Sequence, residues 1–292
     1  MDYIARAVTA DGLVRMYACT TKDTVAEAAR IHNTSATATA ALGRTLSAAA
    51  MLGAMVKDEE SKITVRLNGG GPIGTICALT DSSAMVRGYV DNPAADPESR
   101  PDGHLDVAAA VGTNGELTVI RDYALKAPYA GSVPLATGEI GDDFTKFFAM
   151  SEQIPSAVGL GVLIDKDLSV KAAGGFILQL MPGAGEEHIK DAEESIKKLG
   201  SVTEVLSEGA TPEELLERLT QNQTLLFYDN VKTGYKCTCS RERMERALIS
   251  IGKAELSEIL SVDKKAELTC QFCRKSYNFS EAELKELLKK SK

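Results

Sequence analysis

The sequence has no apolar run long enough to cross a bilayer. Its longest, Leu46 to Val56, is broken by Ser47 and Gly53, and a spanning helix needs roughly 20 residues. Positive charge is also in deficit. Against 41 Asp and Glu there are 33 Lys and Arg, net −8, which excludes a general nucleic-acid coat because phosphate binding needs clustered cations. Cysteine is scarce, six in 292 residues, too few for a disulfide-stapled secreted scaffold. The chain does not open with a basic stretch followed by an apolar one, so no secretory signal peptide is expected. There is no internal repeat and no low-complexity tract. These absences lead to the expectation of a soluble cytoplasmic protein. Thiols there normally stay reduced, so clustered cysteines suggest metal or redox chemistry.

What is present fits a globular chain of about two domains, with 44% hydrophobic residues to build a core. Charge is unevenly placed. Residues 231–292 carry 14 basic and 9 acidic residues, net +5, while the first 230 are net −13. That asymmetry suggests a separate C-terminal module.

Residues 1–180 read as a mixed strand and helix domain. Tyr3–Val8 and Leu13–Cys19 flank Asp11-Gly12, a hairpin signal. Thr24-Val25-Ala26-Glu27 reads as a capping box for a short helix, and Ala36–Lys57 as a long helix with small residues for close packing. Strands follow at 62–67, 75–79, 84–90 and 115–122. A last hairpin, 158–164 and 168–179, turns at Asp165-Lys166-Asp167. Residues 181–230 read as a helical connector: 186–221 is charged and helical, with a narrow stripe of Leu215, Leu216 and Leu219 that needs a neighbour. Thr211-Pro212-Glu213-Glu214 gives a strong helix start. Residues 231–292 form the third segment, with helices opened by Ser240 and Ser280. The expected fold class is therefore α+β: a mixed N-terminal domain, a helical connector and a small C-terminal zinc-binding module built on four cysteines.

That module holds Cys237-Thr238-Cys239 and, thirty residues on, Cys270-Gln271-Phe272-Cys273. Four thiolates satisfy one tetrahedral zinc ion, and two short pairs are the usual way to supply them. Four sulfurs leave no open position for water, so hydrolytic zinc is disfavoured. Spacing alone favours a purely structural knuckle. Lys236, Arg241, Arg243, Arg274 and Lys275 surround the thiols, and cations favour the oxidisable thiolate; this supports a redox role weakly.

Three further readings stand beside it. The +5 segment with Tyr235, Phe272, Tyr277 and Phe279 as stacking groups suggests a zinc-ribbon nucleic-acid module. Cys270-x-x-Cys273 suggests a thiol oxidoreductase, although the strand and helix that such a site needs are not evident. Asn68-Gly69-Gly70-Gly71-Pro72-Ile73-Gly74 lacks the Lys-Ser/Thr of a phosphate loop and reads as a turn. His32, His104 and His188 read as ordinary surface or helix residues, Cys19 and Cys77 as free core cysteines, and Leu225-Leu226-Phe227-Tyr228 as packing.

The sequence resembles the thirty-three-kilodalton heat-shock chaperone family, the redox-regulated holdase, over nearly its whole length. The resemblance is carried by the two cysteine pairs, the continuation Cys239-Ser240-Arg241-Glu242, and Ala41-Leu42-Gly43-Arg44. Gly69 to Gly74, Ser151-Glu152-Gln153-Ile154-Pro155 and Gly174-Gly175 through Gln179 sit in similar order. It implies a non-enzymatic, ATP-independent chaperone. When reduced, the protein would hold one Zn²⁺ per chain through Cys237, Cys239, Cys270 and Cys273. Oxidation would pair Cys237 with Cys239 and Cys270 with Cys273, with zinc lost. The C-terminal module would then unfold and the connector helices, packed on it, would loosen. The expected partners are unfolding client proteins and, on oxidation, a second copy of the chain. A membrane is not expected as a partner, nor is nucleic acid, and no motif assigns client-binding residues.

Overall fold

In the computed structural model, residues 1–123, 127–220 and 223–291 are described. Strand β1 (Tyr3–Thr9) turns into β2 (Val14–Thr20) at the Asp11-Gly12 signal. The Asp11 carboxylate accepts from the Thr9 hydroxyl at 2.5 Å and the Leu13 amide at 2.9 Å, and Gly12 takes the left-handed φ of 75° that favours glycine. Helix α1 (Lys22–His32) begins before the expected capping box. The hydroxyl of its N-cap, Thr21, makes no capping bond and pairs with the Ser47 hydroxyl at 2.7 Å. The Asp2 carboxylate, from the start of β1, instead accepts from the amide and hydroxyl of Thr24, both at 2.6 Å.

Helix α2 (Ala36–Met55) is the centre of the first unit, Met1–Lys236. It packs on strands of two sheets, and its small residues allow that approach. A Cβ on Gly53 would stand 2.6 Å from the Asp81 carbonyl oxygen. The buried hydroxyls of Thr45 and Ser47 donate one turn back, to the carbonyls of Ala41 and Gly43.

Strands β3 (Lys62–Asn68), β4 (Ile76–Asp81) and β5 (Met85–Val90) follow, then α3 (Val107–Val111), β6 (Glu116–Asp122), β7 (Tyr129–Pro134) and α4 (Gly141–Met150). Helix α4 and strand β7 have no counterpart in the sequence reading. The cap of α4 comes from Asp143, fully buried, whose carboxylate accepts from the amides of Ala136 at 2.7 Å, Thr137 at 3.2 Å and Ile140 at 3.0 Å. Hairpin β8 (Ser156–Ile164) and β9 (Val170–Leu180) leads into helices α5 (Glu186–Leu199), α6 (Val202–Ser207) and α7 (Pro212–Arg218). Gln221, the last residue of the expected helical stretch, lies outside the described residues. Leu225 to Lys232, expected as the end of the connector to residue 230 and the start of the cysteine module, is strand β10, and Gly234–Tyr235, expected within that module, is strand β11.

Two sheets result, ordered β10-β1-β2-β9-β8 and β11-β5-β4-β3-β6-β7. Helix α2 and the phenylalanines of α4 fill the main core. A second core lies on the first sheet: Met16, Ala18, Phe176 and Leu178 meet Val205, Leu206, Leu215 and Leu216. The connector helices thus find a neighbour on the sheet of the first unit.

The second unit is Cys237–Lys292. Helices α8 (Arg241–Ser250) and α9 (Lys253–Val262) precede the hairpin of β12 (Ala266–Thr269) and β13 (Ser276–Phe279), and α10 (Glu281–Lys290) closes it. Its small core is Leu248, Leu256, Tyr277, Phe279, Leu284 and Leu287.

Candidate metal centre

Cys237 and Cys239 sit in the irregular segment just before α8, where the Ser240 hydroxyl caps the helix by accepting from the Arg243 amide at 3.3 Å. Cys270 and Cys273 occupy the tight turn between β12 and β13. The Arg274 amide donates to the Cys270 carbonyl at 2.8 Å, and the Cys270 amide to that of Lys275 at 3.0 Å. Arg274 pays the turn's cost with a φ of 57°. The hairpin and α8 bring all four sulfurs within 4.8 Å of one another. Cys237 lies 3.7 Å from Cys270, and Cys239 3.4 Å from Cys273. Four thiolates around one zinc ion, each about 2.3 Å from it, would stand roughly 3.8 Å apart. The donor set and its spacing therefore fit one tetrahedral metal ion.

The amide of Cys239 bonds the sulfur of Cys237, and the amide of Lys275 that of Cys273. Desolvation nonetheless pushes the Cys237 and Cys273 thiols up. Desolvation acts on Cys239 too, but hydrogen bonds from the Tyr277 hydroxyl, 3.1 Å away, and from the neighbouring thiols outweigh it and hold Cys239 at about 7. Of the bonds that favour this thiolate, the one from the phenol is the largest. The surrounding cations play a smaller part than their number in the sequence suggested. Arg241 is tied to Glu283 at 2.5 Å and stacks on Phe279, Arg243 donates to the Thr238 carbonyl, and Lys275 lies over the Tyr277 ring.

Tyr277 was legible in sequence only as a stacking candidate. The alternation Tyr277-x-Phe279 after a tight turn was the available signal that both face inward. They are 6% and 2% exposed, so neither offers a ring to a nucleobase. Cys19 and Cys77 are buried far from the cluster in sequence, and burial pushes Cys19 up to about 12. Of the histidines, His104 is exposed, but His32 and His188 are buried. His188 Nε2 lies 3.1 Å from an Asp11 carboxylate oxygen, linking α5 to the first hairpin. Among the described residues, no helix is long and apolar enough to cross a membrane.

Fold and site define an α+β domain followed by a small unit whose four cysteines could hold a metal ion. The chain belongs to the Hsp33 family: it matches the family described as Hsp33 protein over residues 2–280. It is 51% identical to the 33 kDa chaperonin of Clostridioides difficile across 99% of both chains. It is 48% identical to that of Geobacillus kaustophilus across 98% of this chain and 97% of the relative. The crystal structure of the Thermotoga maritima 33 kDa chaperonin superimposes with a TM-score of 0.91 at 38% identity, covering 98% of this chain and 97% of that one. Membership makes this a chaperone-family protein.

Proposed function

We propose that the protein is a redox-regulated, ATP-independent holdase of the cytoplasm, inactive when reduced and switched on by oxidation. The observation that carries this reading is the gathering of four cysteine sulfurs within 4.8 Å in a unit whose buried core is only six side chains. Cys237, Cys239, Cys270 and Cys273 would hold Zn²⁺, which when bound supplies charge stabilisation for four thiolates and a cross-link between the start of the unit and its β12–β13 turn.

Units of fewer than ~60 residues bury too little surface to be more than marginally stable alone. A structural zinc site contributes on the order of 10 kcal/mol, comparable to the whole net stability of a domain, about 5–15 kcal/mol. Forming one disulfide removes two electrons from a pair of thiolates; one peroxide molecule accepts them and, with two protons from solvent, becomes two waters. In this reading the pairs are Cys237 with Cys239 and Cys270 with Cys273. Each pair so oxidised deprives the site of two donors. With both gone the unit Cys237–Lys292 loses its main stabilising contact and unfolds. The apolar surface released binds unfolding proteins, and oxidised chains pair as homodimers. No step consumes ATP.

Two of the four aromatics required by the nucleic-acid reading are buried, so that alternative loses its stacking platform. The test is light scattering from a heat-unfolding client enzyme, with reduced, zinc-loaded protein beside peroxide-treated protein. Suppression by the oxidised sample alone is expected. Failure of the oxidised, zinc-free protein to slow aggregation would overturn the reading.

A further inference from the structure

Without residues 233–236, β5 would be the free edge of the six-stranded sheet. A strand edge presents main-chain groups at every second residue, here Val86 and Gly88, with Ala84 in the turn just before β5. Each of the three is met by the segment that leads into the cysteine unit. The Thr233 hydroxyl donates to the Ala84 carbonyl at 2.7 Å, and the Lys236 amide donates to the Val86 carbonyl at 2.8 Å. The Tyr235 hydroxyl donates to the Gly88 carbonyl at 2.9 Å, while the Gly88 amide approaches the same hydroxyl at 3.4 Å. With its proton spent on Gly88, that hydroxyl accepts from His32 Nε2 at 3.2 Å.

Only Gly234 and Tyr235 pair with β5 as a strand, in parallel. At Gly88 a side-chain hydroxyl stands in for the main chain of a strand that goes no further. The ring of Tyr235 packs against the main core. The segment is thus a short strap that satisfies the edge group by group, and it runs directly into Cys237, where the second unit begins.

We propose that the β5 edge is a client-binding site, closed by the strap 233–236 in the reduced protein. Once the strap peels away, the edge takes an extended segment of an unfolding protein carrying an aromatic side chain at the Tyr235 position. The proposal rests on the holdase reading and adds where the client is held. The occupant is argued from the strap itself, which already acts as a ligand made of main-chain donors, one hydroxyl and one aromatic ring. Unfolding proteins present extended main chain and newly exposed aromatics. Strand addition draws its affinity from main-chain hydrogen bonds that any sequence supplies and its preference from side-chain pockets, which suits a holdase with many clients. The far end of the strap, Lys236, is joined directly to the unit that oxidation unfolds in this reading. When that unit unfolds, the strap keeps only its own contacts with the first unit: two residues of strand pairing, the hydrogen bonds of Thr233, Tyr235 and Lys236, and the Tyr235 ring.

The experiment places a benzophenone amino acid at Arg87 on β5 and, separately, at Thr118 in the interior strand β6 of the same sheet. Each full-length protein is oxidised, mixed with thermally unfolding malate dehydrogenase and irradiated. A client adduct at 87 that rises several-fold on oxidation and exceeds that at 118 is expected. In the unsubstituted protein, hydrogen exchange at the Gly88 amide should rise several-fold on oxidation and fall again when client binds. If scattering is suppressed but neither the adduct nor the exchange changes, the edge is not the site and the holdase reading stands. If oxidised wild-type protein does not suppress scattering, both fall.

Discussion

Leu284 offers a way to weigh the second unit against its metal. The side chain is fully buried in the small core beneath α10, and that helix begins at a complete capping box of Ser280 and Glu283. Leu284→Ala leaves the cap and the four cysteines in place and removes apolar contact alone. Three carbon groups at about 0.8 kcal/mol each give ~2.4 kcal/mol. A residual cavity raises this to about 3 kcal/mol, at the lower end of buried Leu→Ala changes. At roughly 0.05–0.15 kcal/mol per residue, a unit of this size has only ~3–8 kcal/mol to lose. If the unit folds only around its metal, the whole cost appears in metal affinity, and about 1.4 kcal/mol is tenfold. The apparent zinc dissociation constant of Leu284→Ala should therefore rise about 100-fold, read by competition with a chromophoric chelator. Hydrogen exchange over residues 237–291 should show the reduced, zinc-loaded variant folded. An affinity equal to wild type would refute the argument that folding of this unit and metal binding are one equilibrium.

Tyr277→Phe removes the hydroxyl that stabilises the Cys239 thiolate from 3.1 Å; a hydrogen bond to a charged group contributes about 1.5–3 kcal/mol, so the apparent zinc dissociation constant should rise about tenfold or more, read by chelator competition. Asp11 is held down at about 2 by the Thr9 hydroxyl, the Leu13 amide and His188. Its folded value lies below the unfolded ~3.9, so its stabilisation is complete above that value and lost as pH falls through 2. Asp11→Asn should accordingly lower the melting temperature of the first unit at neutral pH, with the gap to wild type narrowing as pH falls below about 4. Gly53→Ala forces a Cβ to within 2.6 Å of the Asp81 carbonyl oxygen. It should cost roughly 1–3 kcal/mol of stability in the first unit, with zinc affinity unchanged, as denaturant melts and chelator competition would report.

The parts of the fold legible in sequence are those whose cause is local. Asp11-Gly12 carries its own turn chemistry, and the helices after Ser240 and Ser280 carry their own caps. The cysteine pairs announced a metal site because ligand spacing is itself a local property. What escaped was held from a distance. Helix α1 starts where Asp2, twenty residues away, reaches its amides. Helix α4 depends on one buried carboxylate gathering the amides of a loop broken by Gly138 and Gly141. Leu225 to Lys232 has no strand alternation of its own and becomes β10 because β1 offers an edge. The partner of the connector helices is a sheet face built from residues 150 or more positions earlier as well as from β9, and a narrow apolar stripe cannot name its partner. In the metal site the same holds for Tyr277, whose role depends on a hairpin turning its ring toward Cys239.

The most direct test of the switch is one time course after peroxide addition to reduced, zinc-loaded protein. Zinc release is followed with a chromophoric chelator, loss of exchange protection over 237–291 by mass spectrometry, and client capture by light scattering on timed aliquots. Zinc release and loss of protection should rise together, and capture should never precede them. Full client capture while zinc remains bound and residues 237–291 remain protected would contradict the switch.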